Sequence, residues 1–306
     1  MTKQKLQTEL LASIKLQEDY HATHGGSLLN RLQRLRILKL KYPIEVILRK
    51  LNLRLELPVR FFWGKKRSLP VGDVDTKFLY YFASLGRAEL PLTNFLIKNL
   101  KSNDIFYDIG ANYGFFTHLA QELIQDGQVH AFEPDKAIYN FLSEDENEGG
   151  SCRSVFFNNK ALSKSVGNIN FYSRKKQGAS GTSTTSKEAA QLRSREFDVE
   201  TVSSTTLDEY CKNHLVPTIM KIDIEGGEYD MLLGAEQTLR ENSPKILLEI
   251  ASNDEGRELS AKVISLLISY GYSVYRLDSD GKTELLKSTI NFDDLNYSYE
   301  NILFTK

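Results

Sequence analysis

Several features are scarce or absent in this 306-residue sequence, and each shortage excludes a class of protein. Two cysteines, Cys152 and Cys211, cannot form a disulfide framework or a four-thiolate zinc site. No apolar run reaches the roughly 18 residues that a membrane-spanning helix requires. The N-terminus lacks the apolar stretch and cleavage site of a secretory signal, so we expect a cytoplasmic protein.

The net charge of −1 conceals an asymmetry along the chain. Residues 31–67 contain twelve Lys and Arg but only two acidic residues, Glu45 and Glu56, which gives this segment a charge of +10. Clustered positive charge attracts polyanions, although a solvated helical face has the same composition. The segment therefore predicts either a solvated face or a peripheral membrane contact, and nucleic acid is the less favoured partner.

The pattern of apolar residues divides the chain into two parts. Residues 1–70 show helical spacing, broken at Gly25-Gly26, and predict a basic helical arm that ends in a polar connection. Residues 71–306 predict the main domain. Within it, short apolar runs alternate with amphipathic segments, which is typical of a parallel sheet covered by helices on both faces.

The alternation predicts a doubly wound, mostly parallel seven-stranded α/β sheet with an N-terminal helical extension. The expected strands are residues 105–109, 128–132, 154–158, 218–224, 245–250, 273–277 and 301–305. The expected helices are residues 115–125, 136–146, 229–241 and 259–270. Residues 174–204 are rich in Ser and Thr without apolar periodicity, so we expect a mobile loop, either a substrate lid or a disordered connection.

The strongest local signal is a tight turn after the first of these strands, where residues 108–114 read DIGANYG. Glycine at 110 and 114 lets the backbone approach a ligand, and such a turn lies at the ligand-binding edge of an open α/β sheet. Asn112 and Phe115 occupy the second and third glycine positions of a dinucleotide fingerprint, and the Lys of a P-loop is absent. The pattern therefore disfavours a pyrophosphate site, whereas Asp108 could orient an ammonium group directly or through water.

A second acid, Glu133, ends the next predicted strand, 19 residues after Gly114. A carboxylate has only acceptor sites and can bind both hydroxyls of a ribose. The two motifs at this spacing predict a nucleoside-like ligand.

Three charged residues, Lys221, Asp223 and Glu225, alternate with apolar residues in a predicted buried strand. Period two would place all three on one face of that strand. Charges in a buried strand need partners or a wet cleft, so the pattern indicates either a structural Lys–carboxylate pair or a site. We expect a site.

Four motifs in this order resemble the FkbM family of S-adenosylmethionine-dependent methyltransferases. They are residues 108–114, 132–134, 206–210 and 221–228, and residues 233–235 and 244–249 also match. The resemblance covers roughly residues 85–305. It implies a class I methyltransferase (Rossmann-like) fold, S-adenosylmethionine as methyl donor, and O-methylation of a sugar, polyketide or similar metabolite, and thus a small-molecule or glycan acceptor.

The resemblance also implies roles for individual residues. Those next to the methionine part of the cofactor are Asp108, Gly110, Asn112 and Gly114. Glu133 corresponds to the residue at the ribose. Asn159 corresponds to a residue near the adenine, although Asn158 matches equally well.

An alcohol acceptor must lose a proton during methyl transfer. We expect Asp223 or Glu225 to be the general base, with Glu249 a third candidate and Lys221 holding the carboxylate or stabilising the forming alkoxide. The same acids could instead bind Mg²⁺, which prefers carboxylate and water oxygens. The sequence leaves base and metal open, and it does not indicate the oligomeric state.

Three other functions fit parts of the sequence. A non-catalytic scaffold with a methyltransferase fold could dock through the basic arm. N-methylation of nucleic acid is disfavoured because no Asn/Asp-Pro-Pro-aromatic segment occurs. An NAD-dependent oxidoreductase is disfavoured by Asn112 at the second fingerprint position.

Overall fold

The computed structural model divides the protein into two compact units. The first comprises Met1–Arg87 and a short segment that includes Ala179 and Ser180, and the second comprises the rest of the chain from Ala88. The structure describes all residues except 24–27, 52, 54, 72–73, 145–153, 175–178, 194–196, 252–255 and 287–298. Gly25-Gly26 and Cys152 lie outside the described residues. The predicted boundary at residue 70 falls within the first unit, and the division of roles between arm and domain stays a prediction.

The first unit contains four helices and a two-stranded antiparallel sheet. Their bounds are α1 Lys3–His21, α2 Leu28–Leu38, α3 Lys41–Lys50, β1 Leu55–Arg60, β2 Lys66–Val71 and α4 Val74–Phe82. The spacing that predicted α1 is the spacing of its buried side chains, Leu6, Leu10 and Ile14. The expectation of helix up to Leu57 followed by a polar connection was wrong, because residues 55–71 form a hairpin that buries Val59 and Leu69.

The described residues after α4 form twelve strands, which belong to the second unit except for Ala179 and Ser180 at the start of β8. They are β3 Ile105–Ile109, β4 Gln128–Phe132, β5 Val155–Asn158, β6 Ala161–Leu162, β7 Gly167–Arg174, β8 Ala179–Thr184, β9 Asp198–Thr205, β10 Ile219–Ile222, β11 Lys245–Ala251, β12 Ser273–Leu277, β13 Thr283–Leu285 and β14 Tyr299–Thr305. Eight of them form the main sheet in the order β13-β12-β14-β11-β10-β3-β4-β5. All seven predicted strands are present, and β13 at the edge makes the sheet eight-stranded rather than seven-stranded.

The main sheet is doubly wound. Strands β3, β4, β5, β10 and β11 run parallel, and β14 pairs antiparallel with both β11 and β12. The strand order runs outward in opposite directions from β3 and β10, so the topological switch point lies between these two strands. Ligands of open α/β sheets bind at the carboxyl ends of the strands at such a point. The α/β class and the mostly parallel sheet are confirmed.

Helices cover this sheet. They are α5 Leu90–Asn99, α6 Phe115–Leu123, α7 Lys136–Ser143, α8 Lys187–Arg193, α9 Leu207–Tyr210, α10 Glu228–Leu233, α11 Glu236–Glu241 and α12 Arg257–Ser269. The predicted helix 229–241 is divided in two at Gly234, where a Cβ would overlap with the carbonyl oxygen of Ser163. No helix in the described part of either unit is both long and apolar enough to cross a bilayer.

The Ser/Thr-rich segment contains regular structure. Strands β6, β9, β7 and β8 form a second sheet in this order, and β7 pairs antiparallel with β9 over most of its length. The expectation of a loop without secondary structure at residues 174–204 was therefore wrong for its described part. Thr is common in strands, and the buried Phe171 and Tyr172 of β7 give the sheet an apolar anchor just before the polar run.

Candidate active site

Gly110 lies directly after β3, at the switch point. Its φ is +78°, and a Cβ on this residue would overlap with the backbone carbonyl oxygen of Asp223 after β10. Its N–H donates to the Phe132 carbonyl oxygen of β4 at 3.0 Å. Three strand ends therefore meet at one residue, and glycine is required there for both conformation and space.

Asn112 continues the turn in the left-handed region, with φ +49°. Its N–H donates to Glu133 Oε2 at 3.0 Å, while its own Oδ1 is buried and accepts no hydrogen bond from the described residues. Gly114, with φ +82°, begins α6. A left-handed non-glycine residue with an unsatisfied oxygen is unusual at a turn and is typical of a ligand site.

Glu133 follows β4 and is buried. Besides the bond from Asn112, its Oε1 accepts the N–H of Asp135 at 2.9 Å, and Asp135 in turn caps the N-terminus of α7. Burial raises the pKa of Glu133 to about 7, although the backbone donors oppose the shift. Each carboxylate oxygen has a second lone pair beyond its backbone bond, so the group can accept two further hydroxyls.

Asn159 and Asn158 have different surroundings. Asn159 Nδ2 donates to the carbonyl oxygens of Glu133 and Pro134, at 2.9 and 3.0 Å. Asn158 Nδ2 donates to the carbonyl oxygens of Ala131 and Phe156. Asn159 therefore belongs to the Glu133 turn, whereas Asn158 bonds to strand backbone.

Asp108 and Lys221 form a buried ion pair between β3 and β10. Asp108 is fully buried; its Oδ2 accepts the Thr117 hydroxyl at 2.6 Å, and its Oδ1 lies 3.7 Å from Lys221 Nζ. Lys221 Nζ also donates to the Gly110 carbonyl oxygen at 3.0 Å and contacts Asp223 at 3.1 Å. Burial raises the pKa of Asp108, whereas Asp223 and Asp108 raise that of Lys221 in spite of its burial. Lys221 therefore links the Gly110 turn to Asp223.

The charged run after Lys221 is not a strand. β10 ends at Ile222, so the expected strand 218–224 is shorter and period two does not extend to Asp223 and Glu225. These residues lie on a turn, residues 223–228, which we refer to as the acidic turn. Glu225 within it is left-handed, with φ +59°. Glu228 Oε1 closes the turn by accepting the N–H groups of Ile224 and Gly226.

The turn nevertheless brings the predicted acids together. Carboxylate oxygens of Asp223, Glu225 and Glu249 lie within 4.8 Å of one another. Burial and the neighbouring carboxylates raise the pKa of Glu249 well above its ordinary value. A pocket beside them is lined by Glu225, Glu249, Leu259 and Ser260. Such a cluster can take a proton or bind a divalent cation.

Sequence reasoning missed Glu89 and Asn301. Asn301 on β14 pairs in register with Glu249 on β11, and its Nδ2 donates to Glu89 Oε2 at 3.2 Å. Burial and then the charge of Asp223 raise the pKa of Glu89 to about 7, and Lys221 opposes the shift. An Asn within an apolar strand was a usable signal for Asn301. Glu89 resembles any acidic residue before a helix, so the sequence contains no signal that would have identified it.

Helix α8 and the residues before it lie against the acidic turn. A Cβ on Gly226 would overlap with Ala189, and a Cβ on Gly227 would lie 2.6 Å from Thr185 Oγ1. The Ser/Thr-rich segment therefore packs directly beside Glu225.

Residues 108–274, more than half of the chain, match the model of the Methyltransferase FkbM domain. The chain belongs to the FkbM methyltransferase family. The matched region begins at Asp108 and includes the glycine turn, Glu133 and the acidic turn. The Rossmann-like, class I methyltransferase fold implied by the sequence resemblance is thereby confirmed, together with the family itself.

This FkbM methyltransferase is similar to hexuronic acid methyltransferase AglP of Haloferax volcanii, with 26% identity over 196 residues, covering 63% of this chain and 75% of AglP. Among solved structures, it is similar to methyltransferase FkbM of Methylobacillus flagellatus, with TM-score 0.46 and 13% identity over 76% of this chain. The chain spans about half, 54%, of that protein's length. An O-methyltransferase of Bacillus cereus in complex with SAH has TM-score 0.41 and 11% identity, covering 73% of this chain and 83% of that one.

Proposed function

We propose that this FkbM methyltransferase transfers the methyl group of S-adenosylmethionine to a hydroxyl of a sugar, in a glycan or a related metabolite. The observation that carries the proposal is the meeting of three carboxylates, Asp223, Glu225 and Glu249, directly beside the Gly110 turn. A hydroxyl acceptor must lose its proton, and carboxylates at this place can take it. The substrate named for the Haloferax relative, a hexuronic acid, supports a sugar acceptor.

The described residues fit S-adenosylmethionine at the turn. The buried Asn112 Oδ1 lacks a hydrogen-bond donor, which an ammonium or hydroxyl group would supply. Glu133 has acceptor sites for both ribose hydroxyls, and Asn159 holds the backbone on which Glu133 lies. Gly110 and Gly114 keep the backbone free of Cβ atoms. Because the Asp108 carboxylate has no exposed surface, we assign it an indirect role, through Lys221 and the Gly110 carbonyl.

The bound cofactor supplies a methyl group that its sulfonium already activates for displacement. The tasks of this chain are to position the acceptor oxygen and to receive its proton. Of the three acids, Asp223 is already paired with Lys221, whose Nζ lies 3.1 Å from its carboxylate. Glu249 has the raised pKa that a general base needs. We therefore propose that Glu249 is the base, that Glu225 contacts the acceptor, and that Lys221 positions Asp223.

A magnesium ion is the second way in which these residues could act. Three carboxylate oxygens within 4.8 Å can share one cation, which would lower the pKa of the acceptor hydroxyl without a dedicated base. Loss of turnover on chelation, restored by Mg²⁺ alone, would favour this reading over a metal-free base.

The test combines binding and turnover. Calorimetry with S-adenosylhomocysteine and NAD measures cofactor choice, and transfer of labelled methyl groups to hexuronate-containing glycans measures activity. We expect Glu249→Gln and Glu225→Gln to keep normal affinity for S-adenosylhomocysteine while turnover falls about 100-fold or more. The exposed Glu284→Gln is the matched control and should change neither quantity.

Three results would contradict the proposal. Tight binding of NAD without a response to S-adenosylhomocysteine would indicate an oxidoreductase. Binding of S-adenosylmethionine without methyl transfer to any sugar would support the scaffold function, and transfer to an amine would support N-methylation.

A further inference from the structure

Helix α2 has an apolar face that its own unit does not cover. Leu28, Leu29, Leu32 and Leu35 lie along one side of the helix, at the spacing of a helical stripe, and are 74%, 65%, 54% and 40% exposed. The helix buries a single residue, Leu38 at its end. In contrast, α1 buries Leu6, Leu10 and Ile14. Apolar stripes of amphipathic helices normally face a core, so four exposed leucines on one helix indicate a surface with a function.

Further apolar side chains are exposed in the residues that follow α2. Leu40, between the two helices, is 75% exposed, and Ile47 of α3 is 54% exposed. We refer to the exposed face formed by Leu28, Leu29, Leu32, Leu35, Leu40 and Ile47, with the basic residues described below, as the leucine surface.

Exposed basic side chains accompany these leucines. Arg31 and Arg36 of α2 and Lys50 of α3 are all exposed. The sequence contains seven Lys and Arg between residues 28 and 53, against one acid, Glu45. That acid is buried, 4% exposed, and accepts the Tyr81 hydroxyl at 2.7 Å. Within residues 28–53, the chain therefore presents exposed basic side chains and no exposed carboxylate.

We infer that the leucine surface docks this FkbM methyltransferase on anionic phospholipid membranes. Leucines enter the boundary between headgroups and acyl chains, and flanking Lys and Arg contact the phosphates, when an amphipathic helix lies in a membrane interface. Nucleic acid would use the basic residues but leave the leucines in water. A protein partner of acidic character would need its own apolar groove. A membrane interface provides contacts for both the exposed leucines and the exposed basic residues of the leucine surface.

The structure also narrows the predicted contact segment of residues 31–67. Arg67 on β2 is only 4% exposed and is not available to a membrane, and Val59 and Leu69 of the hairpin are buried. The leucine surface itself lies on α2, Leu40 and α3.

Vesicle sedimentation of the full chain tests the inference. The probes are phosphatidylcholine vesicles with and without phosphatidylglycerol, at low and high salt. We expect binding to the anionic vesicles that weakens with salt, and little binding to the neutral ones. Replacing Arg31, Arg36 and Lys50 together by Gln should weaken binding about 100-fold, on the basis of roughly fivefold for each charge at the membrane surface.

The leucine component is tested by replacing Leu28, Leu32 and Leu35 by Gln. This variant should lose about tenfold or more of its binding even at low salt, because the apolar contribution is not screened. The controls are Leu215→Gln with Leu285→Gln, and Lys101→Gln with Lys245→Gln, which alter equally exposed residues elsewhere. Circular dichroism verifies folding; if the leucine variant does not fold, the charge variant decides the matter alone.

Three outcomes would overturn the inference. One is a wild-type chain that does not bind anionic vesicles. Another is equal binding by the test and control variants. The third is a dimer, detected by light scattering, that the leucine variant dissociates while vesicles bind neither form, because a second copy would then cover the surface.

Discussion

The backbone carbonyl oxygen of Asp223 occupies the place that a Cβ on Gly110 would need. The Asp223 N–H also donates to the carbonyl oxygen of Ile109 at 3.0 Å. The turn proposed for the cofactor and the turn that carries the acids are thus in direct backbone contact. In the proposed function, this contact would bring the methyl donor and the acceptor together, because no side chain lies between the two turns.

Gly110→Ala should therefore damage both turns at once. The positive φ costs about 1–2 kcal/mol for a residue with a Cβ, and the overlap with Asp223 adds about 1–3 kcal/mol. We expect a lower free energy of unfolding by about 2–5 kcal/mol and weak binding of S-adenosylhomocysteine. Denaturant unfolding and calorimetry measure the two effects.

Gly86→Ala is the control for this change. Its φ is not positive, and the nearest atom to a new Cβ would be a ring carbon of Phe78 at 3.9 Å, an ordinary contact. If both variants were equally stable and bound S-adenosylhomocysteine equally well, the assignment of the Gly110 turn would be wrong.

Lys221→Met should destabilise the protein strongly at neutral pH. It leaves the fully buried Asp108 carboxylate without its cation, a change that typically costs about 3–5 kcal/mol. The pKa of Asp108 then rises further, and the folded state binds a proton that the unfolded state binds only at lower pH. The stability difference from wild type should therefore shrink as the pH falls from 7 towards 5. Urea unfolding at several pH values measures this.

Asp108→Asn in the same chain is the informative second change. The double variant Asp108→Asn with Lys221→Met has no buried charge from this pair, and it should be more stable at pH 7 than Lys221→Met alone. If the change in the free energy of unfolding of the double variant equals the sum of the changes of the two single variants, the pair is not coupled.

Glu133 should make cofactor binding depend on pH. Its pKa is about 7 in the folded protein, and the ionised carboxylate is the better acceptor for ribose hydroxyls. Affinity for S-adenosylhomocysteine should fall as the pH decreases through 7. Because this pKa is raised above its usual value of 4.5, the same group lowers the stability of the free protein as the pH rises from about 4.5 through 7.

Glu133→Gln tests this pH dependence. It should bind S-adenosylhomocysteine about 10- to 100-fold more weakly at pH 8, from the loss of hydrogen bonds to a charged acceptor, and its affinity should be flat across pH 6–8. Calorimetry at three pH values is sufficient. A wild-type profile as flat as that of the variant would exclude Glu133 from the ribose site.

Asn301→Leu should alter the pH profile of turnover. The Asn301 amide stabilises the ionised form of Glu89, whose pKa is about 7, so its loss moves that pKa upward. If Glu89 must be ionised during turnover, the acidic limb of the kcat profile moves to higher pH, with KM for S-adenosylmethionine unchanged. In the Glu89→Gln background, Asn301→Leu should produce no shift. If Asn301→Leu shifts the acidic limb of the kcat profile by the same amount in the Glu89→Gln variant, another group is responsible for that limb.

The sheet could be predicted from the sequence because buried parallel strands give continuous apolar runs between helices. Each expected strand of the main sheet is found within two residues or so of its position. The short exposed β13 and the hairpin of residues 55–71 gave no such runs, although each pairs with the neighbouring strand in the sequence. The sheet around β7 was missed because Ser and Thr were interpreted only as polar.

The residues of the candidate site also divide into those that local sequence could predict and those that it could not. Residues that follow a predicted strand directly, such as Gly110 and Glu133, could be placed from local pattern alone. Glu89 and Asn301 could not, because they meet only through long-range packing, 212 positions apart. The left-handed φ of Glu225 could not be predicted either, because the residue type does not indicate this conformation.

Strand β14 has a consequence for synthesis of the protein. It is inserted between β11 and β12, both of which precede it in the chain, and it carries Asn301 to the acid cluster. A nascent chain that has already emerged through β12 therefore has a gap in the middle of its sheet, with two unpaired strand edges. Such edges are open to pairing with other chains, so aggregation is favoured until residues 299–305 insert between β11 and β12.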